Sequence, residues 1–139
     1  MATNDTRSRN MAAIRSSDTE PERRLRSLLH RAGFRFRKND KRFPGSPDIY
    51  LPRWRCAVFV HGCYWHRHAG CPFTTTPRTN LQFWNKKFDA NIARDLRNQV
   101  ALRKLGIRPL IVWECAISAQ PERTLLKLIR SIKAKASPR

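Results

Sequence analysis

The run His61-Gly-Cys63-Tyr-Trp-His66-Arg-His68-Ala-Gly-Cys71 packs two cysteines and three histidines into eleven residues of turn-rich chain. A segment of that kind has little apolar surface of its own and needs a staple to hold one shape. Cys63-x4-His68-x2-Cys71 has the spacing at which one tight loop presents three ligands. Cys115, directly after a buried apolar strand, can return as the fourth to complete a Cys3His tetrahedron. A closed set of soft ligands is a structural zinc site with no open position for substrate. The bland alternative is that two of these cysteines are ordinary buried residues, as Cys56 is within its alternating strand. The first ten residues carry no hydrophobic stretch and so no secretory signal, which points to the cytoplasm, where thiols stay reduced and ligate metal in preference to forming disulfides.

Charge narrows the partner. The chain of 139 residues holds 29 Lys and Arg against 10 Asp and Glu, a formal net charge of +19. That balance implies a polyanion, with nucleic acid ahead of an anionic membrane. No apolar run approaches the ~18 residues of a membrane span, and the basic residues are scattered over the chain instead of lying on one amphipathic segment, which argues against a membrane. The length suits one domain, read as residues 17–135, with a DNA-binding arm over 1–16 and a basic tail over 136–139.

Thr19-Glu-Pro-Glu22 is a capping box with Pro in the first turn. The apolar positions Leu25, Leu28, Leu29 and Ala32 follow it, and Gly33 stops the helix. Phe34-Arg-Phe36-Arg alternates like a strand, and Asp48–Leu51 and Cys56–Val60 form an antiparallel hairpin across Pro52-Arg-Trp54-Arg. A second capping box, Thr79-Asn-Leu-Gln82, opens a long helix on which Trp84, Phe88, Ile92 and Leu96 repeat every four residues until Gly106. A buried strand over Pro109–Trp113 and a final helix over Pro121–Ile132 complete an order of helix, three strands, helix, strand, helix. That order predicts an α/β or α+β sandwich around a mixed sheet.

Asp48 follows Pro-Gly-Ser-Pro at a strand start, where an Asp either caps the turn or faces a cleft. Its hairpin partner ends at Val60-His61, bringing a carboxylate, a backbone carbonyl and an imidazole together in the manner Mg2+ requires. His61 and His66 remain once His68 is assigned to zinc. Either they are hydrogen-bonded surface residues, or they serve phosphodiester hydrolysis, one activating water and the other neutralising charge on the phosphate. Tyr64 and Trp65 are adjacent aromatics in a polar loop, so at least one is exposed enough to stack on bases. Trp84 is either such a wedge or plain core. Met11 is either a minor-groove wedge or a small staple for the arm. Glu22 is the third residue of its capping box, and a second role near a metal is open to it.

The stretches HGCYWHRHAGC, PGSPDIYLPRWRCAVFV, RSRNMAAIRSSDTEPERRLRSLL and FWNKKFDANIARDLRNQVALRKLGIRPLIVWECAI together resemble the very-short-patch repair (Vsr) DNA mismatch endonuclease family over roughly residues 6–117. The resemblance implies a restriction-endonuclease-like α/β/α fold with a structural zinc. It also implies a Mg2+-dependent enzyme that nicks the strand 5′ to the thymine of a T:G mismatch left by deamination of 5-methylcytosine. Carried over residue by residue, Asp48 and the Val60 carbonyl hold Mg2+, His66 is the general base, and His61 assists at the phosphate. Glu22 orients a metal-bound water, and Asp95 supports His66. Cys63, His68, Cys71 and Cys115 bind zinc. Tyr64, Trp65 and Trp84 form the wedge from the major groove, and Met11 enters the minor groove. The second acid and lysine of the broader nuclease signature are replaced here by Phe59 and His61. The zinc loop is one residue longer than in familiar members, and Tyr64 stands where Phe is common. Duplex DNA is the implied partner, with mismatch-repair proteins beside it, and an asymmetric nick suits a monomer. Two further readings are a nicking nuclease of the same fold with another target and a non-catalytic, zinc-stapled DNA-binding module.

Overall fold

Gly33, at φ +96°, turns the chain out of its first helix, and Phe34 N–H closes that end on the Leu29 carbonyl at 3.0 Å. The structure, a computed structural model, describes residues 19–64, 66–71, 74, 75 and 77–134. The arm with Met11, Trp65 and the basic tail lie outside the described residues. The elements are α1 (Glu20–Arg31), β1 (Arg37–Lys38), β2 (Ile49–Leu51), β3 (Cys56–His61), α2 (Leu81–Lys104), β4 (Arg108–Trp113), α3 (Glu114–Ala119) and α4 (Pro121–Lys133). The sheet order is β1-β2-β3-β4, antiparallel as far as β3, with β4 parallel to β3. The mixed sheet is as expected from the sequence, and α2 is the crossover that parallel pairing needs.

Alternation along the strands sorts the core into two layers. Ile49, Leu51, Cys56 and Val58 face Leu25 and Leu29 of α1, Ile117 of α3, and Leu128 and Ile132 of α4. Tyr50, Ala57 and Phe59 point the other way, toward Leu102 of α2 and Ile107. Helices therefore cover both faces of the sheet.

Four expectations are corrected. Phe34–Arg37 is not a strand: pairing with β2 begins only at Arg37, opposite Tyr50, because Phe34 is already committed to the core. Thr79 does not cap α2. The N-cap is Asn80, left-handed at φ 52° and making no side-chain capping bond. The four-residue repeat on α2 does not stay inward, since each such step rotates by about 40° relative to the helix. Ile92 is 39% and Leu96 57% exposed. Finally, α3 adds a short helix, absent from the expected order, between β4 and the last helix, and Cys115 lies in its first turn.

Candidate active site and metal centre

Parallel pairing sets His61 beside Trp113 at the carboxyl ends of β3 and β4. Cys63 and Cys115, each two residues further on, emerge side by side. Sites in α/β sheets form at this end of the strands. Here the chain builds two adjacent ones.

The first is a cleft of about 730 Å3. Four of the ten acidic residues in this strongly basic chain line it: Glu22 from α1, Asp48 before β2, Asp95 from α2 and Glu114 from α3. Asp48 Oδ2 accepts the Val60 N–H at 2.6 Å, which locks the carboxylate across the hairpin. Burial, and then the neighbouring Glu22 carboxylate, push the Asp48 carboxyl up to about 7. Glu22 is itself only 4% exposed and accepts from Arg26 Nη1 at 3.4 Å. Its backbone N–H is capped by Thr19 Oγ1 at 3.4 Å, so the capping box and the cleft use the same residue. Paired, buried carboxylates of this kind are the donor set a hard divalent cation requires.

His66 Nδ1 lies 2.5 Å from Asp95 Oδ2. With a carboxylate as partner, Nδ1 carries the proton and Nε2 is left as the basic nitrogen. The His61 ring stacks on His66, centroids 3.7 Å apart and planes within 6°. Burial lowers His61 to about 4, the proximity of His66 adds to the shift, and Asp95 opposes it. Two imidazoles stacked this closely cannot both be cations without mutual repulsion.

The second site is the cysteine cluster. Ligand atoms of Cys63, His68, Cys71 and Cys115 all lie within 4.8 Å of one another, and Cys115 Sγ is 3.4 Å from His68 Nδ1. Burial and the neighbouring thiols push Cys63 up to about 12, a crowding that a bound cation relieves. The loop is held by backbone bonds from His66 N to Gly62 O at 3.1 Å and from His68 N to Cys63 O at 3.0 Å. Thr74 Oγ1 donates to His68 O at 2.7 Å, and Glu114 Oε1 accepts the Cys63 N–H at 2.9 Å. Trp113 stacks flat on His68 at 4.1 Å and meets His61 edge-on at 5.2 Å, so one indole braces both sites. Sequence reasoning missed Trp113 and Glu114. Their signal was their position: Trp113 ends the strand that delivers Cys115, and Glu114 opens the helix that carries it.

The aromatic expectation divides. Tyr64 is buried, edge-on to Phe88 at 5.3 Å, with Trp84 stacked beyond Phe88 at 6.1 Å. Trp84 is half-buried and Phe83 is 54% exposed. The Arg67 guanidinium sits 4.2 Å over the Phe88 ring and donates to Thr75 O at 2.9 Å, fastening the loop to α2.

Residues 1–71 match the family described as DNA mismatch endonuclease Vsr. The chain is 45% identical over 119 residues to the DNA mismatch endonuclease Vsr of Escherichia coli, covering 86% of this chain and 76% of that one. The chain belongs to the Vsr family. Other Vsr-like relatives are a type II nicking enzyme of Xanthomonas oryzae, 47% identical over 108 residues (78% of this chain, 79% of the relative), and one of Neisseria meningitidis, 41% identical over 125 residues (88% and 89%). The protein is thus a Vsr-type nicking endonuclease, and DNA is its partner. Its Cys/His cluster can hold a metal. No described helix is long and apolar enough to cross a membrane.

Proposed function

We propose that this endonuclease nicks DNA 5′ to the thymine of a T:G mismatch, the product of 5-methylcytosine deamination, in a Mg2+-dependent reaction. The observation that carries the reading is the cleft, where four carboxylates, one of them Asp95 paired with His66, converge in a protein of net charge +19. The ionised Asp48 side chain and the Val60 carbonyl would hold Mg2+, which supplies charge stabilisation at the scissile phosphate. His66, oriented by Asp95, takes the proton of the attacking water at Nε2. His61, neutral at pH 7, hydrogen-bonds at the phosphate, and Glu22 orients the water. The two helical layers and mixed sheet fit a restriction-endonuclease-like α/β/α sandwich.

Cys63, His68, Cys71 and Cys115 fit structural zinc. A tetrahedron with Zn–S near 2.3 Å and Zn–N near 2.0 Å sets its S and N ligands about 3.5 Å apart, and Cys115 Sγ and His68 Nδ1 stand at 3.4 Å. Trp84 and Trp65 form the stacking wedge, with the buried Tyr64 backing it through Phe88, and Met11 with its arm enters the minor groove. The enzyme acts as a cytoplasmic monomer over a single domain of residues 17–135, with mismatch-repair proteins as its partners. The decisive comparison is purified protein with Mg2+ on T:G and matched T:A duplexes. The T:G strand should be cut to a 3′-hydroxyl and a 5′-phosphate, and equal cutting of the T:A duplex would refute mismatch recognition.

A further inference from the structure

Two further walls line the same cleft. One is α2, whose Asn91, Arg94, Asn98 and Gln99 line it. The other is the loop before β2, which contributes Asn39, Lys41, Gly45 and Ser46. Asn91, Arg94 and Asn98 follow one another at three and four residues, so a single helix face is turned to the cleft. The two walls touch at the end: a Cβ placed on Gly45 would lie 3.0 Å from Asn98 Nδ2 and 3.0 Å from the Phe59 ring. Gly45 is left-handed at φ +80° and Ser46 at φ 47°, which brings the loop backbone this close to the helix. Phe59 and Ile111 give the trough an apolar floor. Lys41 and Arg94 are both exposed, and among the described residues neither is tied up in an ion pair. The wall between them offers uncharged amides and a hydroxyl, while the aromatic side chains grouped around Phe88 lie elsewhere.

From this arrangement we infer that the trough is a backbone subsite: Lys41 on one wall and Arg94 on the other each hold a phosphate of the strand being nicked, and Asn98, pinned by Gly45, donates between them. The chemistry is that of a polyphosphodiester. Two exposed cations, one on each wall, suit phosphates of one strand, amide donors suit phosphate oxygens, and an apolar floor suits the sugar face. Contacts of this type set register and carry no sequence information. The subsite takes from the proposed function that the cleft receives DNA, but it does not depend on which base pair lies beyond it.

The test is equilibrium binding of the zinc-loaded full chain to short T:G and T:A duplexes without Mg2+, so that no strand is cut, across a series of salt concentrations. Each phosphate contact contributes about 0.9 to the slope of log affinity against log salt. Lys41→Gln and Arg94→Gln should each lower the slope by about that amount, and the double variant by about twice it, with affinity falling by the same factor on both duplexes. Arg94→Lys, which keeps the charge, should restore the slope. Both positions are exposed, and an unchanged urea midpoint shows that the fold is intact. A slope unmoved by either single variant overturns the two-sided subsite, and so does a loss confined to the T:G duplex, which would make these residues mismatch readers. Failure of the T:G reading shows instead as wild-type protein cutting both duplexes alike, and leaves the slope difference standing.

Discussion

Ligation of a divalent cation requires the ionised carboxylate, and burial together with Glu22 holds Asp48 at about 7. A raised value means that Asp48 is protonated below that pH, so Mg2+ affinity should fall about tenfold for each unit of pH below 7 and level off above it. Calorimetric titrations at pH 6 and pH 8.5 would show this, and equal affinities at the two would contradict it. His66→Ala should slow nicking by about 10²–10⁴-fold, the usual worth of a positioned base, with DNA affinity held within about threefold. Single-turnover rates alongside binding constants separate the two effects, and a loss in affinity alone would move His66 out of the chemistry. Asp48, His61 and His66 were legible because each combines a reactive side chain with an informative place at a strand end or in the loop. Trp113 was not, since a tryptophan closing a buried strand reads as core until the register with His61 is known. Ala69 and Gly70 are both exposed, with Gly70 at φ +71°, so the loop bows outward there while Cys71 still meets its partners.

The elements differ in what holds them. The Cys/His loop joins neither of the two large apolar clusters, so chelating the zinc proposed for it should abolish nicking while helical circular dichroism stays near its starting value. Elemental analysis should find about one zinc per chain; less than half an equivalent after gentle purification would count against the site. The loop before β2 depends instead on close approach. Gly45→Ala adds left-handed strain and a crowded Cβ, and should cost about 1–3 kcal/mol, whereas Gly33→Ala meets nothing within 4 Å and should cost only the strain. Urea melts of both variants give the comparison, and equal losses would mean that the contact with Asn98 is slack. Of the secondary structure, α1 was the most legible, because its cap, proline and apolar stripe agree. Reading α2 by apolar residues alone went astray, since the side it turns inward is polar at its middle. Phe88 meets Tyr64 of the Cys/His loop, Asp95 meets His66, and Leu102 meets the sheet.

At the scale of the whole molecule, a net charge of +19 is only partly local to the site. If six to ten phosphates are neutralised, affinity should fall by about 10³–10⁵ between 50 and 200 mM salt. Filter binding over that range tests the footprint, and a flat response would confine the contacts to a few side chains. The partner class could be read from composition because charge needs no geometry. The convergence of α1, the loop before β2, β3, α2, β4 and α3 on one cleft could not, because it follows from a parallel pairing that closes only after a 24-residue helix. That helix is about 36 Å long. Phe88, Asp95 and Leu102 are spaced seven residues apart along it, two turns each, so they fall nearly on one line about 10 Å from point to point. The helix is therefore a ruler with three marks, and the covalent chain sets the interval between the ring that meets Tyr64, the carboxylate that holds His66 and the anchor in the core. Deleting one residue between Phe88 and Asp95 would swing the Phe88 end by about 100° away from the His66 partner, and no side-chain rearrangement could restore a misprinted scale.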